Sequence, residues 1–359
     1  MNPNTLMLFK IVPLSHHHPH IAIIRLSAMG DVAMTVPVIL ALAAQNPKVR
    51  ITIVSRPFFK PIFEHLPNVK FLSVHTHHEH KGLFGLYQLY RDLKAHHVTE
   101  IADLHNVLRS IVVRFLFALS GKKVAFTDKG RAEKAALTSL TNKKFQPLKT
   151  MVDRHLETFK KLGYTINLDT PYFLKQDAIP LKVLEILGEK NEKWIGIAPF
   201  AHYSGKTYPI DLMHKVIEKL SNKEGVKILL FGGDSDLERL ETLVNGKSNV
   251  YNFAKKISFK EELHLISNLD VMLSMDSGNA HLAAIFGVIT ITLWGATHPY
   301  AGFAPYNQPS ENCLVADREQ YPLLPTSVYG NKKVAGYEDA MRTISVEKIV
   351  ARVLSQLED

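Results

Sequence analysis

At 359 residues with 46% hydrophobic side chains, the chain is long enough for two ordinary domains, each with its own core. A single cysteine, Cys313, excludes a disulfide framework and fits a reducing compartment, and no zinc-ribbon spacing occurs. The formal net charge of +9 points to an anionic partner, a nucleotide, nucleic acid or phospholipid surface, but the bases are scattered and never interleave with aromatics, which disfavours nucleic acid.

Leu6 to Leu14 is apolar but broken by Lys10 and Pro13, far short of the roughly 20 residues of a membrane span. It lacks the uninterrupted apolar region and cleavage site of a signal peptide, so residues 1–19, with His16 to His18, read as a poorly ordered lead-in. His20 to Leu26 is a buried-type strand, and Ser27-Ala-Met-Gly-Asp31 turns it into a helix from Val32 to about Ala44. Strands at Val49 to Val54 and Val69 to Val74, with a helix from Pro57 to Leu66 between them, make a βαβαβ series and hence a parallel sheet. His75 to Gly82 is histidine-rich without the i, i+4 spacing of a helical zinc site and reads as an exposed loop. Helices at Leu83 to His96, Val107 to Leu119 and Met151 to Leu162, the last stopped by Gly163, alternate with strands at Glu100 to Leu104 and Lys123 to Phe126.

Composition changes between Asp169 and Asn191, around Pro171 and Pro180, and a second alternating series follows. Its strands are Trp194 to Ala198, Val226 to Phe231, Val250 to Phe253, Val271 to Met275 and Ile289 to Trp294. Helices fall at about Pro209 to Leu220, Asp236 to Val244, Lys260 to Ser267, capped by Ser258 and Glu261, and Ala280 to Phe286. Residues 299–340 are irregular and rich in Pro, Gly and Tyr, and Ser345 to Leu357 closes the chain as a helix. The expected fold class is α/β, a GT-B-like pair of Rossmann-type parallel-sheet domains facing a central cleft. The expected segments are a lead-in at 1–19, domains at 20–175 and 176–344, and the closing helix at 345–359.

The run from Val271 to Gly287 is a strand, a sharp turn at Asp276-Ser277-Gly278 and a helix opening near Asn279. Free N–H groups and the positive dipole end at such an opening favour phosphate, while Asp276, which can only accept, suits sugar hydroxyls. His281 flanks the same opening and can donate or carry charge. Read alone, the Asp-Ser-Gly turn is better explained by simple capping. What favours a ligand is the next strand, Ile289 to Trp294, whose end frames the same crevice.

Asp31 follows the first strand beside Gly30, where it is either an N-terminal cap or a general base. Lys206, in Gly205-Lys-Thr-Tyr-Pro209, is either a loop lysine or a point charge for a diphosphate. Asp234-Ser-Asp236 has the spacing of a metal-binding Asp-x-Asp but opens a helix, where acids are favoured by the dipole, and Asp236 suits ribose hydroxyls. No Gly-x-Gly-x-x-Gly follows the first strand, which weakens a dehydrogenase reading.

Ile23-Ile-Arg-Leu-Ser-Ala-Met-Gly-Asp-Val32 with Thr35-Val-Pro37, Lys206-Thr-Tyr-Pro209 and Asp276-Ser-Gly-Asn-Ala-His-Leu-Ala284 resembles glycosyltransferase family 9, the lipopolysaccharide heptosyltransferases, from about residue 20 to the C-terminus. The resemblance implies metal-independent, inverting transfer, without a cofactor, from an ADP-heptose-like donor to a lipid-anchored inner-core acceptor. It implies an N-terminal acceptor domain and a C-terminal nucleotide-sugar domain. By motif, Asp31 is the general base, Lys206 holds the departing diphosphate, Asp276 binds heptose hydroxyls, and Ser277, Gly278, Asn279 and His281 surround the phosphates. Asp236 and Ile257 match the ribose and adenine contacts through weaker local similarity. Ala201 and His202 stand where relatives carry hydroxyl side chains, and Ala-Thr-His-Pro follows Gly295 in place of Pro-Thr-Asp-Pro, so the donor sugar stays open. Arg56, Arg109 and Arg131 are acceptor candidates, because an inner-core acceptor carries carboxylates or phosphates.

The expected protein is thus a cytoplasmic glycosyltransferase, peripheral to the inner face of the cytoplasmic membrane and held to anionic lipid by charge and a few apolar loop residues. A nucleotide-sugar epimerase of the same fold and a catalytically silent nucleotide-sugar-binding protein are the alternatives.

Overall fold

A computed structural model describes residues 18–358 apart from His65 and Pro67; most of the expected lead-in, including His16 and His17, lies outside the described residues. The first sheet is built from β1 (His20–Ile24), β2 (Arg50–Ser55), β3 (Val69–Ser73), β4 (Glu100–Asp103) and β5 (Lys123–Phe126). Its order is β3-β2-β1-β4-β5, and every pair is parallel. One face carries α1 (Met29–Ala33), α2 (Val36–Gln45), α3 (Lys60–Phe63) and, after α6 (Arg131–Leu137), α7 (Met151–Leu162); the other carries α4 (Gly82–Ala95) and α5 (Leu108–Leu119).

The segment after α7 reaches the second sheet early: Leu174 N–H donates to Ile285 O at 2.8 Å, and Gln176 donates to Asn268 at 2.7 Å. After α8 (Leu181–Leu187) come β6 (Lys193–Ala198), α9 (Ile210–Ser221), β7 (Val226–Leu230), α10 (Leu237–Val244), β8 (Val250–Asn252), α11 (Phe259–Ile266), β9 (Val271–Met275), α12 (Gly278–Ala284), β10 (Ile289–Trp294), β11 (Cys313–Val315) and α13 (Val346–Ser355). The order β11-β10-β9-β6-β7-β8 is again wholly parallel. The near-continuous apolar strands suit this arrangement, since a parallel sheet is covered on both faces.

In each sheet the chain departs from one strand in both lateral directions, at β1 between β2 and β4 and at β6 between β7 and β9. Outside the C-terminal ends of such strands lies the natural ligand crevice of an open α/β sheet. The two crevices face each other because the starts of α1 and α12 meet with glycine on each side. A Cβ on Gly30 would lie 2.6 Å from His281 Cδ2, and one on Gly278 would lie 2.4 Å from Met29 Cε. Two further contacts join the halves: Phe58 stacks on Phe259 with Lys260 paired to Glu64 at 2.8 Å, and Leu148 and Met151 donate to Tyr300 O and Gly302 O at 2.9 Å.

The structure corrects several sequence expectations. The helix expected from Val32 to Ala44 is two helices, because Pro37 lacks the N–H that would carry hydrogen bonding through the junction, where Thr35 Oγ1 bonds back to Val32 O at 2.7 Å. Pro57 to Leu66 is likewise a 3-10 turn followed by the short α3. Strand β11 forms within the segment expected to be irregular, and helix α6 forms where the sequence reading names no element. His20 begins β1, as the sequence reading has it, with Nε2 2.8 Å from Thr52 Oγ1. The His75 to Gly82 loop is not wholly exposed: His80 is buried, accepting from His75 N–H at 3.1 Å and facing Asp92 at 3.3 Å, which makes it a structural residue.

The close approach of α1 and α12 separates two otherwise similar substitutions. Gly30→Ala would press a methyl group into a buried imidazole and is expected to cost about 1 to 3 kcal/mol, whereas Gly278→Ala meets most closely the flexible end of Met29, with its Cβ and Cγ at 3.3 and 3.4 Å, and should cost under about 1 kcal/mol. Urea denaturation of both variants measures the difference; equal costs would show that the interdomain contact yields.

Candidate active site

Between the facing crevices lies a cleft of about 420 Å³, lined by Asp31 and Gly30 of α1, Lys206 after β6, Asp276 and Ser277 after β9, Gly278 and His281 of α12, and Phe303 and Tyr329 of the long segment before α13. Six residues singled out by sequence, Asp31, Lys206, Asp276, Ser277, Gly278 and His281, are therefore brought together. Asn279 is buried in the first turn of α12 behind this surface. Asp236 and Ile257 lie beyond the lining, after β7 and β8, and among the acceptor candidates Arg56 follows β2 while Arg109 and Arg131 open α5 and α6.

Asp31 meets two demands at once. Its Oδ2 accepts from Ala28 N–H at 3.3 Å, from the third position of α1 rather than as the N-cap the sequence suggests, and pairs with Arg25 Nη2 at 2.6 Å. Among the described residues Oδ1 has no such partner, and the side chain keeps 28% exposure. Arg25 itself is buried, with Nη1 donating to Leu104 O at 2.7 Å. Burial works to raise the Asp31 carboxyl, but the Arg25 guanidinium and the Ala28 N–H outweigh it and hold the group below its ordinary value.

Arg25 is the functional residue the sequence reading passed over. The signal was there: an arginine inside an otherwise apolar strand run must find an anion, because charges are almost never fully buried unpaired. The same guanidinium, after burial, helps pull His105 and His155 down to about 3, so both rings beneath the cleft are neutral. Lys134 of α6 is also buried there, with Nζ 3.3 Å from Met151 Sδ and 4.0 Å from the Phe303 ring centroid. Burial and then Arg154 lower it to about 8.

On the opposite wall, Lys206 Nζ lies 3.2 Å from Asp276 Oδ2, and both side chains are largely buried. Gly330 makes room for the lysine stem: at φ +82°, a Cβ there would lie 2.4 Å from Lys206 Cγ. Ser277 caps no N–H with its side chain; its Oγ lies 3.0 Å from Ser274 Oγ, so the α12 opening keeps its donors for a ligand. His281 is a neutral donor rather than a fixed charge. Burial lowers it against the attraction of Asp276 and Asp31, and its Nδ1 has no hydrogen-bond partner.

The two acids of Asp234-Ser-Asp236 are engaged locally: Asp236 Oδ2 accepts from Gly233 N–H at 3.0 Å, and Asp234 pairs with Lys255 at 3.2 Å. Arg56 Nε donates to Leu26 O at 2.9 Å, bracing the loop that leads to Asp31. Among the described residues, no group of three or more His, Cys, Asp or Glu is placed to hold a metal ion.

Two Rossmann-type sheets facing one cleft define a GT-B-like architecture, here with a carboxylate on one wall and a lysine and a helix opening on the other. The sequence profile of glycosyltransferase family 9 (heptosyltransferase) matches residues 86–333, and the chain belongs to that family. It is 28% identical over 300 residues to lipooligosaccharide heptosyltransferase 2 of Haemophilus influenzae, covering 78% of this chain and 84% of that protein. Among solved structures, a family 9 glycosyltransferase from Veillonella parvula superposes with a TM-score of 0.73 at 18% identity, over 95% of this chain and 98% of that one. The Escherichia coli heptosyltransferase WaaC with ADP superposes at 0.66 with 19% identity, over 94% and 99%.

The balance at Asp31 is open to direct measurement. Carbon-detected titration of its carboxyl should place the wild-type group below the ordinary carboxylate range. In Arg25→Met, where burial remains and the guanidinium is gone, it should rise by roughly 1 to 3 units. An unchanged titration would show that the ion pair does not set the acidity of this group.

Proposed function

We propose that this enzyme transfers heptose, or a closely related sugar, from an ADP-linked donor to a lipid-anchored inner-core acceptor of lipopolysaccharide, with inversion and without a metal. The observation that carries the reading is the pairing of walls: Asp31, with Oδ1 uncommitted, faces the Lys206, Asp276 and His281 group across one cleft. The Haemophilus relative is a lipooligosaccharide heptosyltransferase, and the WaaC structure contains ADP, which supports the choice of donor and product class.

In this mechanism the acceptor hydroxyl lies against Asp31 Oδ1 and attacks the anomeric carbon from the face opposite the departing diphosphate. Arg25 makes Asp31 a weak base, which is enough here. The hydroxyl becomes acidic only as its oxygen bonds to the anomeric carbon, so the proton passes to Asp31 late, and the Arg25 pair keeps the carboxylate ionised and oriented until then. On the other wall Lys206, the N–H groups at the start of α12 and neutral His281 stabilise the charge that grows on the leaving diphosphate. Asp276 accepts bonds from the donor sugar hydroxyls and gives up part of its hold on Lys206 when phosphate arrives. Asp236 and Ile257, on the outer side of the second sheet's crevice, are assigned to the nucleoside.

The N-terminal half, up to about residue 175, is assigned to the acceptor. Arg109 and Arg131 sit in the first turns of α5 and α6, where a positive charge faces the positive end of the helix dipole, so an acceptor carboxylate or phosphate relieves both. Arg56, exposed in part beside the Asp31 loop, is the third candidate. Work on a lipid-anchored acceptor brings the enzyme to the cytoplasmic face of the membrane, and among the described residues no helix is long and apolar enough to cross it.

Calorimetric titrations with ADP and ADP-heptose separate the roles on the donor wall. Lys206→Ala should weaken ADP about tenfold to hundredfold, the worth of a charge-assisted phosphate contact of roughly 1.5 to 3 kcal/mol. Asp276→Ala should bind ADP at least as well as wild type, because it frees the ammonium, and should lose affinity only for the sugar nucleotide. A loss of ADP as severe as that of Lys206→Ala would mean that Asp276 serves only to hold the lysine and the turn. Transfer should proceed at an unchanged rate in the presence of a chelator, and strict dependence on added magnesium or manganese would return Asp234 and Asp236 to the mechanism.

A further inference from the structure

Helix α5 is apolar on two sides. Val113 and Phe117 face the core of the first sheet, while Leu108, Ile111, Phe115 and Leu119, at i, i+3, i+7 and i+11, form a second stripe that belongs to no core cluster among the described residues. Leu108, Phe115 and Leu119 are 77%, 60% and 70% exposed. On the neighbouring helix α4, Phe84 is 93% exposed and Tyr87 52%. Isolated exposed apolar side chains need no explanation, but a stripe three turns long beside two bare aromatics marks an interaction surface.

Charge identifies the partner. Between residues 77 and 126 the exposed ionised side chains are six bases, Lys81, Arg91, Lys94, Arg109, Lys122 and Lys123, against one acid, Glu79. Asp92 is partly buried and bonded to Gln88, and Glu100 and Asp103 are buried. An apolar stripe rimmed by bases and almost free of acids matches an anionic bilayer surface, where apolar side chains enter the headgroup boundary and lysines and arginines meet lipid phosphates. The placement fits as well. In a parallel sheet the helices run back against the strands, so the starts of α4 and α5, with Phe84 and Leu108, lie at the strand ends that border the cleft, and the stripe runs from that edge down the flank.

We propose that the outer face of α4 and α5 is the surface on which the enzyme docks to an anionic membrane, with the cleft edge lowered toward the lipid. That this orientation serves catalysis rests on the lipid-anchored acceptor proposed above; the docking itself does not. The test is co-sedimentation of the full chain with vesicles of phosphatidylcholine alone or mixed with phosphatidylglycerol. Wild type should partition to the mixed vesicles and be released by salt. Phe84→Ser with Phe115→Ser, and separately Lys122→Glu with Lys123→Glu, should each lower the partition at least about tenfold while ADP affinity stays unchanged. The proposal is overturned if wild type ignores both vesicle types, or if the variants partition as wild type does. It is equally overturned if the face instead joins two copies of the chain, seen as a dimer in sedimentation that Phe84→Ser with Phe115→Ser dissolves. Failure of wild type to bind vesicles while it still transfers to a soluble acceptor fragment sinks the docking face alone, and vesicle binding by wild type without transfer sinks the proposed reaction alone.

Discussion

The contact between the first turns of α1 and α12 governs the site. Each helix begins at the switch point of its own sheet, and each carries a glycine where the other helix arrives. Without a side chain at Gly30, the ring of His281 sits against the backbone that presents Asp31. One short approach therefore fixes the separation of the two walls, and the clasp at Tyr300 and Gly302 and the Phe58 to Phe259 stack hold it from either side.

On this frame the charges of the two walls are paired. Arg25 answers Asp31, Lys206 answers Asp276, and His281 stands between the pairs in neutral form. A buried ion pair adds little stability of its own, since desolvation offsets attraction. What it supplies here is orientation: Arg25 engages one oxygen of Asp31, and Asp276 holds the Lys206 ammonium at the cleft wall, where in the proposed reaction a phosphate would draw it away. Such preorganised charge is the part of catalysis that a folded chain can store before substrate binds.

Much of this was legible in the sequence because its signals are local. Val271 to Met275, Ile289 to Trp294 and Met151 to Leu162 have in the structure the bounds read from sequence, since apolar runs and helix caps mark their own ends. The turns bearing Asp31 and Asp276 were recognisable for the same reason. What escaped was whatever depends on distant partners. Arg25 gains its meaning only when Asp31 folds back on it, and Phe303 and Tyr329 reach the cleft from a segment without periodicity. The break at Pro37 is local as well, since a proline beyond the first residues of a helix removes a hydrogen bond the continuous helix needs, but the apolar periodicity from Val32 to Ala44 runs through it unbroken.

The central claim is that Asp31 accepts the proton of the attacking hydroxyl across a cleft whose donor wall works independently of it. Asp31→Asn keeps the size and the Ala28 contact but cannot serve as a base at neutral pH. Measured side by side, transfer from ADP-heptose to an inner-core acceptor should fall by at least about a hundredfold, the scale of general-base catalysis, while ADP affinity stays within about twofold of wild type. Near-normal transfer by the folded variant would contradict the account and leave Asp31 as no more than the cap of its helix.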